Sequence, residues 1–366
     1  MPLPSLLGEC LAFDIEPADL AALRARLFAP GVLAGVVELA AEENSIARLG
    51  ERLLEFGLVP PDRPGRPGVQ DLLARQLASH AQRRVVMARH LMEMVAVFNA
   101  LGIRPILLKG ARSLWEQQPA WRYLRDIDLL VSDDEAAAAQ QALIRIGYGP
   151  DPALPVRPDR HHLEPLYREG FPGWIEIHRS GGNRYAERLL PTSELFADST
   201  VVSDDGLSVG LLSPVTHLLH ALVHHHVGHS GDARGTLSLK GLYEFAWAFH
   251  QLTDEQRPAL AQRVAVHPRL AAMLDYWLAA ASLLFHLPVE APFGVRPDAA
   301  ARAEKIMRGD RTSLWKYPGY GDEIRMARDT ERLRRSCAGS GLLGRQLLRW
   351  KAIASMLPAI RRQVRR

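Results

Sequence analysis

The stretch ILLKGARSLWEQQPAWRYLRDIDLLV, from Ile106 to Val131, decides how this chain is read. An apolar segment ends at Lys109-Gly110. A short helix-like stretch follows, then basic residues, then two aspartates separated by one apolar residue. RDIDLLV has the composition of a strand, and side chains two apart on a strand point the same way. Asp126 and Asp128 therefore share one face, while Ile127 and Leu129 point into a core. Two carboxylates that close raise each other's pKa unless a cation lies between them. A hard divalent ion such as Mg²⁺ is the expected cation. The pattern points to phosphoryl or nucleotidyl chemistry rather than to a binding module.

The residues around this strand extend the argument. Lys109-Gly110 precedes a predicted helix. A glycine there lets a phosphate approach the backbone, and a helix N-terminus offers unpaired N–H groups. Lys109 is a candidate phosphate contact, or a residue turned away, because its neighbour Leu108 must be buried. Ser113 is close enough to offer a hydroxyl, and Arg122 and Arg125 flank the carboxylates as candidate bidentate phosphate ligands. Further on, in WIEIHRS, Glu176 alternates with Ile175 and Ile177, and His178 shares its face. Metal-assisted transfer uses two ions to clamp the attacking and leaving oxygens. Asp126, Asp128 and Glu176 are the candidate ligands, and His161 and His162 are candidate cleft residues just upstream. A DID triplet alone is weak, and a solvated edge strand explains it equally well. The specific signal is the order: apolar strand, KG, R-x-x-R-D-I-D-L-L-V, helix, then E-I-H.

Helical periodicity covers 18–57, followed by a turn-rich break to about residue 68 and a long amphipathic helix over 69–101. The expected core order is strand 106–108, helix 111–117, a loop with Pro119, strand 126–131 and helix 133–146. Two short strands follow, in HLEPLYRE and WIEIHRS, as a hairpin around Gly170–Gly173. These make a small mixed sheet over roughly 103–180. From 211 the pattern is helical again, beginning with LLSPVTHLLHALVHHHVGH. The expected fold class is α+β. A small mixed-sheet core (101–210) is embedded between an N-terminal helical region (1–100) and a C-terminal helical domain with a basic tail (211–366).

The 366 residues are 47% hydrophobic, ample for a sizeable core. A net charge of +4 is modest and does not imply wholesale nucleic-acid binding. The first residues lack a basic n-region, so no signal peptide is expected. No charge-free run of about 18 apolar residues occurs, so no membrane span is expected. Two distant cysteines, Cys10 and Cys337, fit a reducing cytoplasm better than a disulfide framework.

Six histidines fall within 217–229. His217, His220 and His224 share one helix face. The spacing fits a Zn²⁺ site, a polar face turned to a nucleotide cleft, or ordinary core and surface histidines. On the second alternative His220 and His224 lie nearest substrate, and Asp232 shapes the same cleft. The last residues carry Arg361, Arg362, Arg365 and Arg366 without an acid, and fit an anionic partner, a membrane surface or a solvated helix.

ILLKGARSLW, RYLRDIDLLV and WIEIHRS together resemble the bacterial proteins described as uncharacterised nucleotidyltransferases, distant relatives of the DNA polymerase β superfamily. The resemblance covers roughly 80–250 and continues more weakly into HLLHALVHHHV and LKGLYEFA. It implies that Asp126, Asp128 and Glu176 hold Mg²⁺ (or Mn²⁺) and that Gly110 contacts phosphate. The implied reaction moves an NMP group from an NTP, with ATP expected, to a hydroxyl or phosphate, releasing pyrophosphate. The acceptor would be a small molecule, a peptide, a protein or RNA. Kinase-like phosphoryl transfer and a non-catalytic nucleotide-binding role are the alternatives on the same fold. This chain departs from the superfamily pattern at Gly110-Ala111, where serine or glycine usually follows the glycine. It also has glutamate, at Glu176, where aspartate is more frequent, and a further acid at Glu244.

Overall fold

The computed structural model describes residues 3–59, 68–150, 161–228 and 238–307. Four short helices open it: α1 (Leu3–Cys10), α2 (Pro17–Leu27), α3 (Val32–Glu42) and α4 (Ile46–Glu55). The long α5 (Val69–Ala100) follows, burying Leu73, His80, Met87, Leu91, Met94, Val95 and Phe98 on one stripe. That three-and-four spacing makes one helix face apolar, and α5 lays it against the sheet. The core then runs β1 (Ile106–Leu107), α6 (Lys109–Trp115), β2 (Asp126–Leu130), α7 (Asp133–Arg145), β3 (Gly149–Pro150), β4 (Leu166–Tyr167) and β5 (Trp174–His178). Ser132 and Glu135 form a capping box that starts α7, and Gly147, with φ +95°, lets the chain turn away after it.

After α8 (Arg184–Leu189) and α9 (Thr192–Ala197) comes a hairpin, β6 (Ser199–Asp204) and β7 (Leu207–Leu212). The sheet is therefore larger than the 103–180 expected. It has seven strands in the order β3-β4-β5-β2-β1-β7-β6, with parallel and antiparallel neighbours. Asp205 (φ 46°) and Gly206 (φ 78°) make the hairpin turn, and both lie in the left-handed region that two-residue hairpins use. Residues 211–212 thus finish a strand, and the next helix, α10 (Pro214–Val223), begins later than the periodicity predicts. A π-helical turn (His224–Gly228), α11 (Leu239–His250), α12 (Gln256–Ala265), α13 (Pro268–Phe285) and α14 (Pro297–Met307) complete the described chain.

Two apolar clusters hold these elements. One joins α5 and α7 to the sheet face that carries Ile127, Leu129, Ile175 and Ile177. The other joins α1–α4 to α10–α13 and takes in Ile106, Leu130 and Leu212 from the other sheet face. The first four helices and the last ones thus share one core. Cys10 is buried in it as a free thiol, and burial pushes its pKa up to about 12. No single helix among the described residues is long and apolar enough to cross a membrane. The turn-rich break at 60–67, His229, Asp232, Cys337 and the basic tail lie outside the described residues.

Candidate active site

β2 and β5 are parallel neighbours, with Asp128 opposite Glu176 and Leu130 opposite His178. Strand alternation puts Ile127 and Leu129 into one core, so Asp126 and Asp128 project from the other face. There Asp128 meets two donors. Its Oδ1 accepts hydrogen bonds from Lys109 Nζ at 2.5 Å and from His178 Nε2 at 2.8 Å. Its Oδ2 is buried and accepts no hydrogen bond. Glu176 Oε2 lies 3.5 Å from His178 Nε2, and Glu176 Oε1 lies 3.8 Å from His162 Nε2. One ligand atom from each of Asp128, Glu176 and His178 falls within 4.8 Å of the others. Among the described residues these are the group of three able to hold a metal ion. The unpartnered Oδ2 and the oxygen-rich donor set fit a divalent cation.

The charges of this cluster act on one another. Burial raises the pKa of Asp126, the neighbouring Asp128 charge adds to it, and together they bring it to about 7. Asp128 goes the other way. Burial opposes its charge, but the Lys109 ammonium and the hydrogen bond from His178 overcome burial and hold it below the carboxylate range. Burial opposes ionisation of Glu176 too, and contact with His178 lowers it. For Lys109 and His178 burial favours the neutral form, yet the surrounding carboxylates raise both. His161 lies tilted against the His178 ring (centroids 5.1 Å), and burial drives its pKa down to about 2.

The other predicted site residues fall into definite places. Lys109 is the first residue of α6 and has φ +47°, a left-handed conformation that costs a non-glycine residue roughly 1–2 kcal/mol. Its ammonium sits on Asp128, so a carboxylate rather than a phosphate is its partner in this structure. Gly110 packs so closely that a Cβ would lie 2.4 Å from Leu124 Cδ2. A side chain here would press on the end of Leu124, just before β2, so local packing favours glycine. Ser113 Oγ donates to the Gly110 carbonyl at 2.8 Å, inside α6. Arg122 donates to the Lys109 carbonyl (2.8 Å) and to Glu244 Oε2 (2.9 Å). Arg125 is exposed beside β2.

The histidine run fans out. His220 is buried and donates from Nε2 to the Gly181 carbonyl at 2.9 Å; burial first, then Lys109, lowers it to about 4. It lies beside the cluster yet is turned toward the backbone, with His224 stacked on it at 6.2 Å. His226 accepts from Trp277 Nε1. His217 faces a separate cleft. Among the described residues these histidines do not bring three ligand atoms together.

That cleft is lined by Ser113, Trp121, Arg122, His217, Glu244 and Trp247 among others, and by none of the three carboxylates Asp126, Asp128 and Glu176. Its acids and arginines already pair, Arg112 with Glu116 and Arg122 with Glu244. The carboxylate cluster and this cleft are separate features of the described residues. Sequence reasoning missed two parts of the cluster. Lys240 on α11 lies 3.5 Å from Glu244 and favours ionisation of Asp126. Its signal was the second KG pair, in LKGLYEFA. Lys109 as a counter-ion had no signal beyond its own presence.

A family model described as "Uncharacterised nucleotidyltransferase" matches residues 35–286. No curated protein and no solved structure matches the chain.

Proposed function

This chain belongs to the uncharacterised nucleotidyltransferase family, and on that premise we propose that it moves an NMP group from an NTP to an acceptor hydroxyl or phosphate. The bond between the α-phosphorus and the bridging oxygen breaks, a bond to the acceptor oxygen forms, and pyrophosphate leaves. The single observation that supports this reading most is the convergence of Asp128, Glu176 and His178 on one point, with a buried carboxylate oxygen still unpartnered. Asp126, Asp128 and Glu176 would hold a divalent cation, Mg²⁺ or Mn²⁺. When bound, that cation supplies Lewis-acid stabilisation of the charge developing on the transferred phosphate.

The chain's own residues do the rest. Asp126 is the carboxylate nearest neutrality in its titration, so a bound cation or an incoming proton changes its state most readily. Lys240 on α11, which pairs with Glu244 and favours ionisation of Asp126, is the cation assigned to the outer phosphates in this reading. His178 keeps Asp128 oriented through a charge-assisted hydrogen bond.

The test is incubation of the full chain with α-labelled NTPs, Mg²⁺ and cell extract, set against Asp128→Asn. Label should move to an acceptor and pyrophosphate should appear. The variant should lose about 10²–10³-fold of the rate. Label moving equally with both proteins removes the assignment. Nucleoside diphosphate as the product, with the γ-phosphate transferred, replaces it with a kinase-like activity.

A further inference from the structure

Two-metal phosphoryl chemistry asks for two cations at one carboxylate cluster. This cluster already contains one of them. Lys109 Nζ lies 2.5 Å from Asp128 Oδ1, and the lysine side chain is only 15% exposed. Its backbone is fixed from two sides. Leu108 N–H donates to the Asp128 carbonyl at 3.1 Å, and the Lys109 carbonyl accepts from Arg122, which Glu244 holds in turn. The backbone contacts anchor the start of the side chain, and the buried contact with Asp128 holds the ammonium. Asp128 divides its oxygens accordingly: Oδ1 serves Lys109 and His178, and Oδ2 is buried without a hydrogen bond.

Resting on the nucleotidyltransferase reading, we propose that Lys109 is a resident second cation. The nucleotide-free site then takes one divalent ion, among Asp126, Asp128 and Glu176, rather than two. Geometry supports this count. Lys109 and His178 already occupy Asp128 Oδ1, and only Oδ2 is left open to an ion. A second divalent ion at Asp128 would have to displace the Lys109 ammonium. Any further ion enters with the nucleotide's own phosphates. Lys109 also sets the affinity of the first ion, because a fixed positive charge this close opposes it.

The experiment is a Mn²⁺ titration of the full-length protein without nucleotide, with free Mn²⁺ read by electron paramagnetic resonance. The wild type should bind one ion per chain. Lys109→Met should bind a second ion, or hold the first at least about ten-fold more tightly. Lys109→Arg, which keeps the charge, should stay at one ion with affinity within about three-fold of the wild type. Circular dichroism checks the fold of each variant, and Lys109→Gln replaces the methionine variant if that one unfolds. Two ions on the wild type, or a charge-removing variant indistinguishable from it, overturn the resident-cation proposal while leaving the nucleotidyltransferase reading intact. No Mn²⁺ on any folded variant overturns the resident-cation proposal, and the label-transfer test then decides the nucleotidyltransferase reading by itself.

Discussion

Asp128 is where charges from three elements meet: Lys109 from α6, His178 from β5, and its own carboxylate from β2. Removing one partner of a buried ion pair leaves the other uncompensated, which is worth about 3–5 kcal/mol. Asp128→Ala should therefore destabilise the metal-free protein by about that amount in urea unfolding. Pairing Lys109→Met with Asp128→Leu should recover most of the loss, since both charges leave together. If the double variant is as unstable as the sum of the singles, the pair is not what holds this region. Asp126 shows how fine the distinctions are. It lies two residues away on the same strand face, but it lacks Lys109 as a direct partner, and its pKa rises where that of Asp128 falls. The DID spacing states that the two side chains are neighbours. It carries no information on which of them a lysine 19 residues upstream will touch.

At the scale of elements, α6 and its glycine decide how close the first helical turn comes to β2. Gly110→Ala pushes a Cβ into Leu124, a buried residue that must then shift. Overpacking of this kind costs about 1–3 kcal/mol. Gly110→Ala should lower the melting temperature, and adding Leu124→Ala should relieve the clash. Nucleotide affinity measured on the double variant separates two roles for the glycine. Affinity restored along with the fold means packing alone required glycine. Affinity still lost means phosphate needs the bare backbone as well. The strand and helix of 126–146 were legible because alternation, the Ser132/Glu135 cap and Gly147 agree with one another. The β6–β7 hairpin went unread, although Asp205-Gly206 between apolar runs was its signal, because the polar stretch STVVSDD hides the alternation.

Across the whole molecule, Arg122 ties the helical core to the site: one guanidinium spans Glu244 on α11 and the Lys109 carbonyl on α6. Arg122→Met and Glu244→Met should each cost about 3–5 kcal/mol, and the double variant clearly less than their sum. Equal additivity in a double-mutant cycle would mean the two do not interact. Acid stability is also a property of the whole chain. His80, His90, His161, His217 and His220 are all lowered, chiefly by burial, so they are neutral when folded. Their unfolded forms take up protons as pH falls through about 6.5, and the folded forms do not. The stability they contribute is present above that pH and is lost as pH drops toward about 4. Asp126 and His178, both raised, work in the opposite direction, since their folded forms bind protons more readily. Glu43 and Asp275 are raised as well, but the five buried histidines titrate across the whole window, so the melting temperature of the metal-free protein should fall between pH 6.5 and 4.5. A flat or rising profile there would contradict the burial of these histidines.

The sequence by itself determined the elements around Asp126 and Asp128 and the presence of a carboxylate face. Both follow from local periodicity and from capping residues a few positions apart. Only the tertiary structure decided the company these groups keep. Strand β5 comes alongside β2 in parallel, so Glu176 and His178 arrive from 48 and 50 residues beyond Asp128. Lys109 turns its ammonium into the cluster, and Arg122 with Glu244 holds that turn in place. Register between distant strands, and the choice of partner for a buried charge, are set by packing and by the cost of leaving that charge unpaired. Neither leaves a periodic mark in the chain.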